Sequence, residues 1–261
     1  MLQRSYQALL VENVGGIVTI TMNRPERKNP LGPRMVNELL YALDDANESS
    51  EVRAIVLTGA GSAFSAGADL ADFAAAGDDS ALPFRGGFKE LLLRFTALGK
   101  PTIARVPGLA LGGGLGLVAS CDFAVASESA TLGTPEIKRG LFPMMIMAVL
   151  QRVVPRRKLM NMMLLGERLS AEEGLEIGLL SHVVPDAELD AAVASLAEKL
   201  ASQSPTAMRM GLGAFHRQAD QTLAEALPEL EQQLGAILGT EDAREGLAAF
   251  MQKREPRWTG R

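Results

Sequence analysis

Apolar and polar positions alternate through residues 17–22, with Val18, Ile20 and Met22 on one side and Ile17, Thr19 and Thr21 on the other. That period of two predicts a strand lying on a sheet. A similar strand is expected over residues 6–11, and Gly15-Gly16 supplies the turn between them. The period then changes: Leu31, Met35, Leu39 and Leu43 recur every four residues, the stripe of an amphipathic helix, for which Asn29 is the expected cap and Pro30 the first turn. Short apolar runs at 54–58, 102–106 and 122–126 read as strands. Phe88, Leu91, Leu92, Phe95 and Leu98 mark another helix, ended by Gly99 and Pro101. The recurring order of strand, small-residue turn and helix suggests an α/β chain of stacked ββα units.

Past residue 136 the pattern turns helical. Residues 144–154 are almost wholly apolar up to Pro155, and 159–165 form a second Met-rich run whose methionines read as gap-filling core. Ser170-Ala171-Glu172-Glu173 is a capping box opening a short helix that Gly178 closes. Residues 181–184 look like a strand, Asp186 is the expected cap of a helix carrying Leu189, Val193, Leu196 and Leu200, and Ser204-Pro205 starts the next. Leu223, Leu230, Leu234 and Ile237, then Leu247, Phe250 and Met251, continue the helical pattern. With no linker in view, the boundary is placed near residue 200, dividing a core of residues 1–200 from a C-terminal helical region of 201–261. Residues 71–87, dense in Ala, Gly and Asp, read as an irregular segment of the kind that covers a pocket.

Composition narrows the classes. A chain of 261 residues, 47% apolar, buries enough surface to need no staples, and its single Cys121 has no internal disulfide partner. No charged-then-apolar leader opens the chain and no apolar run reaches the roughly 20 residues of a membrane span, so a soluble, cytoplasmic protein without a membrane partner is expected. Under that reading Asn47-Glu48-Ser49 carries no glycan. A net charge of −5 argues against nucleic acid as a partner, and an anionic ligand would have to be met by local cations.

The chemistry gathers at Gly112-Gly113-Gly114-Leu115-Gly116, between a β-rich run and an apolar helix. Glycines at such a junction leave the first N–H groups of the helix without intrahelical partners, with the positive end of its dipole, a site for negative charge. No Lys-Ser or Lys-Thr follows, which excludes a Walker loop. Residues 114–119 also fit G-x-G-x-x-A with Glu136 about 20 residues on, so a dinucleotide site is one alternative; a packing turn is another. A second small-residue turn, residues 59–70, also follows a strand, and N–H donors from two turns can converge on one carbonyl oxygen where charge develops.

Together these features resemble the crotonase family, also called enoyl-CoA hydratase/isomerase. The resemblance rests on Asn23-Arg24-Pro25 with Asn29, on Phe64-Ser65-Ala66-Gly67-Ala68-Asp69-Leu70, and on Ala110-Leu111-Gly112-Gly113-Gly114. It continues through Cys121-Asp122, Gly133-Thr134-Pro135-Glu136 and Glu245-Gly246-Leu247-Ala248-Ala249-Phe250. It implies a spiral of ββα units followed by trimerising helices, and a homotrimer or pair of trimers. It implies an acyl-CoA thioester as substrate, coenzyme A being part of that substrate and no separate cofactor being required. The thioester oxygen would lie between the N–H groups of Ala68 and Gly113, with Ala66, Gly67, Asp69, Leu70, Gly112 and Gly116 around it. Glu136 would carry the proton. Arg24 and Arg27, with Lys28, would stand near the nucleotide phosphates, although a solvated charged turn is an equal reading; Lys253 would reach the coenzyme A of a neighbouring subunit.

One departure bears on the reaction. Family hydratases that use two glutamates carry the second at the position of Gly116, so a double-bond shift served by one carboxylate, or an atypical hydration, is expected here. A catalytically silent coenzyme A-binding or scaffold member is the alternative. His182 and His216 match no catalytic position and read as structural, Cys121 as buried, Ser65 as no nucleophile, and Asp69 first as a helix cap. No cluster has metal-ligand spacing. Trp258 is left without an assignment.

Overall fold

Leu9–Val14 (β1) and Ile17–Met22 (β2) pair antiparallel around Gly15 and Gly16, whose φ values of 60° and 85° suit a tight hairpin. The computed structural model describes residues 4–69 and 81–261. Leu70 and the part of the expected irregular segment up to residue 80 therefore lie outside the described residues. Beside β2 run four parallel strands, Ala54–Gly59 (β3), Thr102–Val106 (β5), Phe123–Ser127 (β7) and His182–Val184 (β10), in the order β1-β2-β3-β5-β7-β10. A second sheet of Ala63–Ser65 (β4), Leu109–Leu111 (β6), Thr131–Gly133 (β8) and Arg168–Ser170 (β9) has the order β4-β6-β8-β9.

Each strand of the larger sheet hands the chain to one of the smaller, and the pairs β3-β4, β5-β6 and β7-β8 stack in parallel register. In the first unit the second strand has shrunk to a single parallel bridge from Leu31 to Ala68, after which Pro33–Glu48 (α1) begins. Phe88–Phe95 (α2) and Gly113–Ser120 (α3) complete the second and third units. The repeated order of strands and helices thus becomes a spiral.

Period-two side chains sort the two faces of the larger sheet. Ile55, Leu57, Ala104, Val106, Ala124 and Ala126 enter the main core with the stripe of α1, whereas Val56, Ile103 and Val125 point the other way. There they meet Leu189, Val193 and Ala197 of Leu189–Ala201 (α7), one helical face spaced by four. Each fully buried Leu or Val contributes about 1.5–3 kcal/mol.

Local capping expectations fare unevenly. Ser170 caps Ala171–Glu176 (α6) with the reciprocal Glu173 bond, and Ser204 caps Pro205–Gln218 (α8). Asn29 does not cap α1, which starts at Pro33 with Gly32 as its cap. Instead Asn29, buried and left-handed at φ 53°, donates to Ala60 O (2.9 Å) and Ala63 O (2.8 Å) and accepts from Arg24 N (2.9 Å). It pins the strand-to-helix corner onto the β3–β4 turn. Asp186 does not cap α7 either; its carboxylate accepts from Ser127 and Ser129 hydroxyls, binding the end of β7 to the chain after β10.

The Met-rich run is broken. Only Met147–Leu150 (α4) and Arg156–Met160 (α5) are α-helical, and Asn161–Leu165 continues α5 as a π turn. Met162 and Met163 fill the core as expected, but Met144 and Met145 are exposed. Residues 81–87 are tethered to α1: Asn37 holds the carbonyl of Pro83 and the N–H of Arg85, Tyr41 Oη donates to Pro83 O, and Asp44 pairs with Arg85 and Arg94.

Leu223–Leu238 (α9) and Glu241–Gln252 (α10) pack with α8. The chain end folds back across them: Trp258 Nε1 donates to Ser202 O (2.7 Å), and buried Asp242 accepts from Ser204 Oγ, Thr259 N and Gly260 N. Burial would raise the Asp242 carboxyl, but these bonds, with a weaker one from Thr206, outweigh it and hold the group at about 2. Leu223, Leu234, Leu247, Phe250 and Met251, expected as a helical stripe, are exposed on the single chain. Among the described residues no helix is long and apolar enough to cross a membrane.

Replacing Asn29 by Gly keeps the left-handed backbone and removes the buried side chain with its three hydrogen bonds. Leaving three buried or half-buried partners unmet should cost about 2–4 kcal/mol, read as a lower urea midpoint at constant m-value.

Candidate active site

After β6 the chain enters Gly112 at φ 51° and ψ −124°, a conformation that a Cβ would strain. Gly112 N donates to Gly133 O, and the first bond of α3 runs from Gly116 N to Gly112 O (3.0 Å). The N–H groups of Gly113, Gly114 and Leu115 therefore have no acceptor within the helix. Each glycine is hemmed by a neighbour. A Cβ built on Gly112 would stand 2.8 Å from Glu136 Oε1, on Gly113 3.1 Å from Leu31 Cδ1 and 3.3 Å from Phe88 Cζ, and on Gly114 2.6 Å from Ser65 Cβ. One on Gly116 would overlap Ile146 Cγ2.

The second turn continues β4. Leu31 N donates to Gly67 O (2.8 Å) and Asp69 N to Leu31 O (3.2 Å), the two bonds of a parallel bridge. The N–H of Ala68 shares a trans peptide with the Gly67 carbonyl and so points away from Leu31. Gly67, at φ 92°, touches the end of β6: a Cβ there would be 2.8 Å from Leu111 O and 3.5 Å from Gly112 Cα. The two turns meet at Gly67 and Gly112, and Ala68 and Gly113 are the next residues of each. Ala68 is exposed, Ala66 and Gly113 half-buried. Ser65 is a fastener here, its Oγ donating to Asn29 O and accepting from Gly67 N.

Asp69 was expected first as a cap for a following helix, and the residues after it lie outside the described ones. Its buried carboxylate meets Arg27 Nη2 at 2.7 Å and Arg24 Nη1 at 3.6 Å. The two arginines named from the sequence thus converge on the residue after Ala68. Lys28 is left-handed and exposed beside them.

Glu136 lies in the 3-10 turn Pro135–Arg139 that follows β8. Half-buried, it presents Oε1 to Gly112, while its buried Oε2 has no hydrogen-bond partner among the described residues. Burial pushes its carboxyl above the ordinary 4.5, against smaller lowering effects of its own N–H and of Arg139. Leu31, Phe88 and Ile146 line the glycine helix and were not singled out as site residues. Phe88 and Leu31 showed only as helix-stripe residues, and Ile146 only as one of a long apolar run.

The remaining candidates lie elsewhere. Lys253 ends α10 in a left-handed turn and is exposed. His182 is exposed on the edge strand β10, and His216 stacks edge-on against Phe215 at 5.5 Å. Cys121 is only partly buried as a residue, yet its thiol is pushed up by burial and by Asp122. Among the described residues no group of three His, Cys, Asp or Glu is placed to hold a metal ion.

A spiral of ββα units with two glycine turns meeting beside a raised carboxyl defines an α/β protein of the crotonase fold. Comparison with known proteins agrees. The enoyl-CoA hydratase/isomerase family model matches residues 12–261. A probable enoyl-CoA hydratase of Rhizobium meliloti is 40% identical over 255 residues, 96% of this chain and 97% of that protein. The crystal structure of an enoyl-CoA hydratase from Geobacillus kaustophilus superposes with a TM-score of 0.89 at 34% identity, covering 98% of this chain and 99% of that one. A putative enoyl-CoA hydratase/isomerase structure from Mycobacterium abscessus gives 0.86 at 38% identity, covering 98% and 100%. The chain belongs to the enoyl-CoA hydratase/isomerase family of enzymes.

The raised Glu136 carboxyl has a stability consequence. The folded protein holds this proton more tightly than the unfolded chain, so the native state is favoured at low pH and loses stability as pH rises through the raised value. Glu136→Gln should therefore match the parent in Tm near about pH 4 and exceed it near about pH 8; thermal melts at both values check this.

Proposed function

We propose that this chain processes an acyl-CoA thioester by proton transfer, with Glu136 as its one acid/base group, as an enoyl-CoA isomerase or an atypical hydratase. The observation that carries this reading is the Glu136 carboxylate, packed against Gly112 at the meeting of the two turns with Oε2 unpartnered among the described residues. In the proposed complex the thioester oxygen accepts from Ala68 N–H and Gly113 N–H, and preorganised donors of this kind are worth about 3–4 kcal/mol each. For a 3-enoyl ester, Glu136 removes a proton from Cα, the electrons shift to leave a dienolate held by the amides, and the same proton returns at Cγ. The product is the 2-enoyl ester, with no net change in atoms and no cofactor required. A carboxyl raised by burial suits a group that both takes and gives this proton.

Gly116 favours this route, because it presents no carboxylate that could act as partner to Glu136. Asp69 keeps Ala68 in place through its own N–H and its arginines. Arg24 and Arg27, held by Asp69 and with Lys28 beside them, would stand near the phosphates of coenzyme A.

The same reading divides the chain into a spiral core of residues 1–200 and a trimerising helical region of 201–261. The large apolar side chains exposed on α9 and α10, among them Leu223, Leu234, Leu247, Phe250 and Met251, support assembly. Lys253 would meet the coenzyme A held by a neighbouring chain.

Glu136→Gln should lower turnover of a 3-enoyl-CoA by about 10²–10⁴-fold with little change in acetyl-CoA affinity. Equal turnover of 2-enoyl and 3-enoyl esters by parent and variant would refute the assignment, and parent binding without turnover of either would favour a silent scaffold. Sedimentation equilibrium should return a trimer or a pair of trimers, and Lys253→Gly, which suits the left-handed backbone, should raise KM for the ester while kcat holds.

A further inference from the structure

Gly116 lies one turn along α3 from Gly112, where the carboxylate sits, and its N–H donates to Gly112 O. What fills the space at Gly116 is hydrocarbon: the three heavy atoms nearest a Cβ built there are Ile146 Cγ2, Ile146 Cβ at 3.0 Å and Phe88 Cζ at 3.8 Å. Phe88 runs along the helix, since the same ring atom stands 3.3 Å from the corresponding point on Gly113, beside Leu31. Ile146 is 3% exposed although Met144 and Met145 before it are exposed, so the turn entering α4 drives one side chain inward against the helix. A water molecule able to attack carbon needs polar partners to hold and deprotonate it. The atoms nearest that Cβ position offer none, and the Ser120 hydroxyl is engaged with the Gly116 carbonyl on the helix itself (2.8 Å).

We infer that Ile146, wedged onto Gly116, is a specificity-determining residue that keeps water from the acyl end of the site and thereby favours double-bond migration over hydration. The inference rests on the proposed role of Glu136. The competing fates of a bound enoyl thioester differ in one reactant. From a bound 2-enoyl ester, migration moves a proton from Cγ through Glu136 to Cα, whereas hydration adds the oxygen of water to Cβ and a proton to Cα. A wall of Ile146 and Phe88 leaves the first untouched and denies the second its nucleophile.

The test compares Ile146→Ala, Ile146→Ser and Ile146→Val with the parent, using 3-enoyl-CoA isomerisation and 2-enoyl-CoA hydration in ¹⁸O-water. Product ¹⁸O content is a readout that loss of packing alone does not move. Ala and Ser should raise the hydration-to-isomerisation ratio about tenfold or more, with Val moving it far less. A folded Ala variant that keeps the parent's ratio overturns the inference, whether or not the Ser variant folds. If the parent turns over neither ester, the role of Glu136 fails separately. The wedge is then judged by Tm: Gly116→Ala should lower Tm in the parent and much less in Ile146→Ala, and an equal loss in both backgrounds overturns it.

Discussion

Close approach of backbone to neighbour along Gly112, Gly113, Gly114 and Gly116 is the constraint on which the rest of the structure depends. Each missing Cβ is replaced by a particular atom: Glu136 Oε1, Leu31 Cδ1, Ser65 Cβ and Ile146 Cγ2. Those four residues come from four separate segments of the chain. The glycine helix is therefore the place where the spiral closes on itself: a Cβ at Gly114 or Gly116 would collide with Ser65 or Ile146, and one at Gly112 or Gly113 would displace the Glu136 carboxylate or the Leu31 side chain. Protein interiors transmit such displacements because they are close-packed. The site and the core share the same atoms.

Buried carboxylates divide by whether the protein satisfies them. Glu38 accepts from the N–H groups of Gln7 and Ala8, Asp44 pairs with Arg85 and Arg94, Asp69 with Arg27, and Asp242 with Ser204 and the chain end. Each joins segments distant in sequence, and each is matched by donors because an unmatched buried charge is costly. Glu136, half-buried, differs in kind. Burial raises its carboxyl and Oε2 is left without a donor among the described residues. A group in that condition destabilises the folded state, a cost that fits a role in chemistry better than one in architecture.

The C-terminal helices follow another logic. The Trp258 and Asp242 contacts fix the chain end on α8 and α10, yet large apolar side chains of α9 and α10 remain outside. The chain is thus well determined within this layer while apolar side chains stay exposed on its surface. Amphipathic periodicity reports that a helix has an apolar face but carries no information about whether its own chain or another covers it.

Much of the architecture was legible in residue order. The strand period at 17–22, the short apolar runs at 54–58 and 102–106, the four-residue stripe of α1, and the caps at Ser170 and Ser204 depend on neighbours within one turn or one strand, where backbone sterics and local hydrogen bonds decide. Where polar side chains had a choice between local and distant partners, local reasoning failed. Asn29 and Asp186 look like caps and instead tie remote turns. The order of motifs likewise marked Gly112, Gly113 and Glu136 as belonging together. Only the tertiary structure decided that the two turns touch at Gly67 and Gly112, that Asp69 gathers Arg24 and Arg27, and that Ile146 fills the space at Gly116. Those are contacts between segments tens of residues apart, set by how the spiral's units stack, and no local period encodes that spacing.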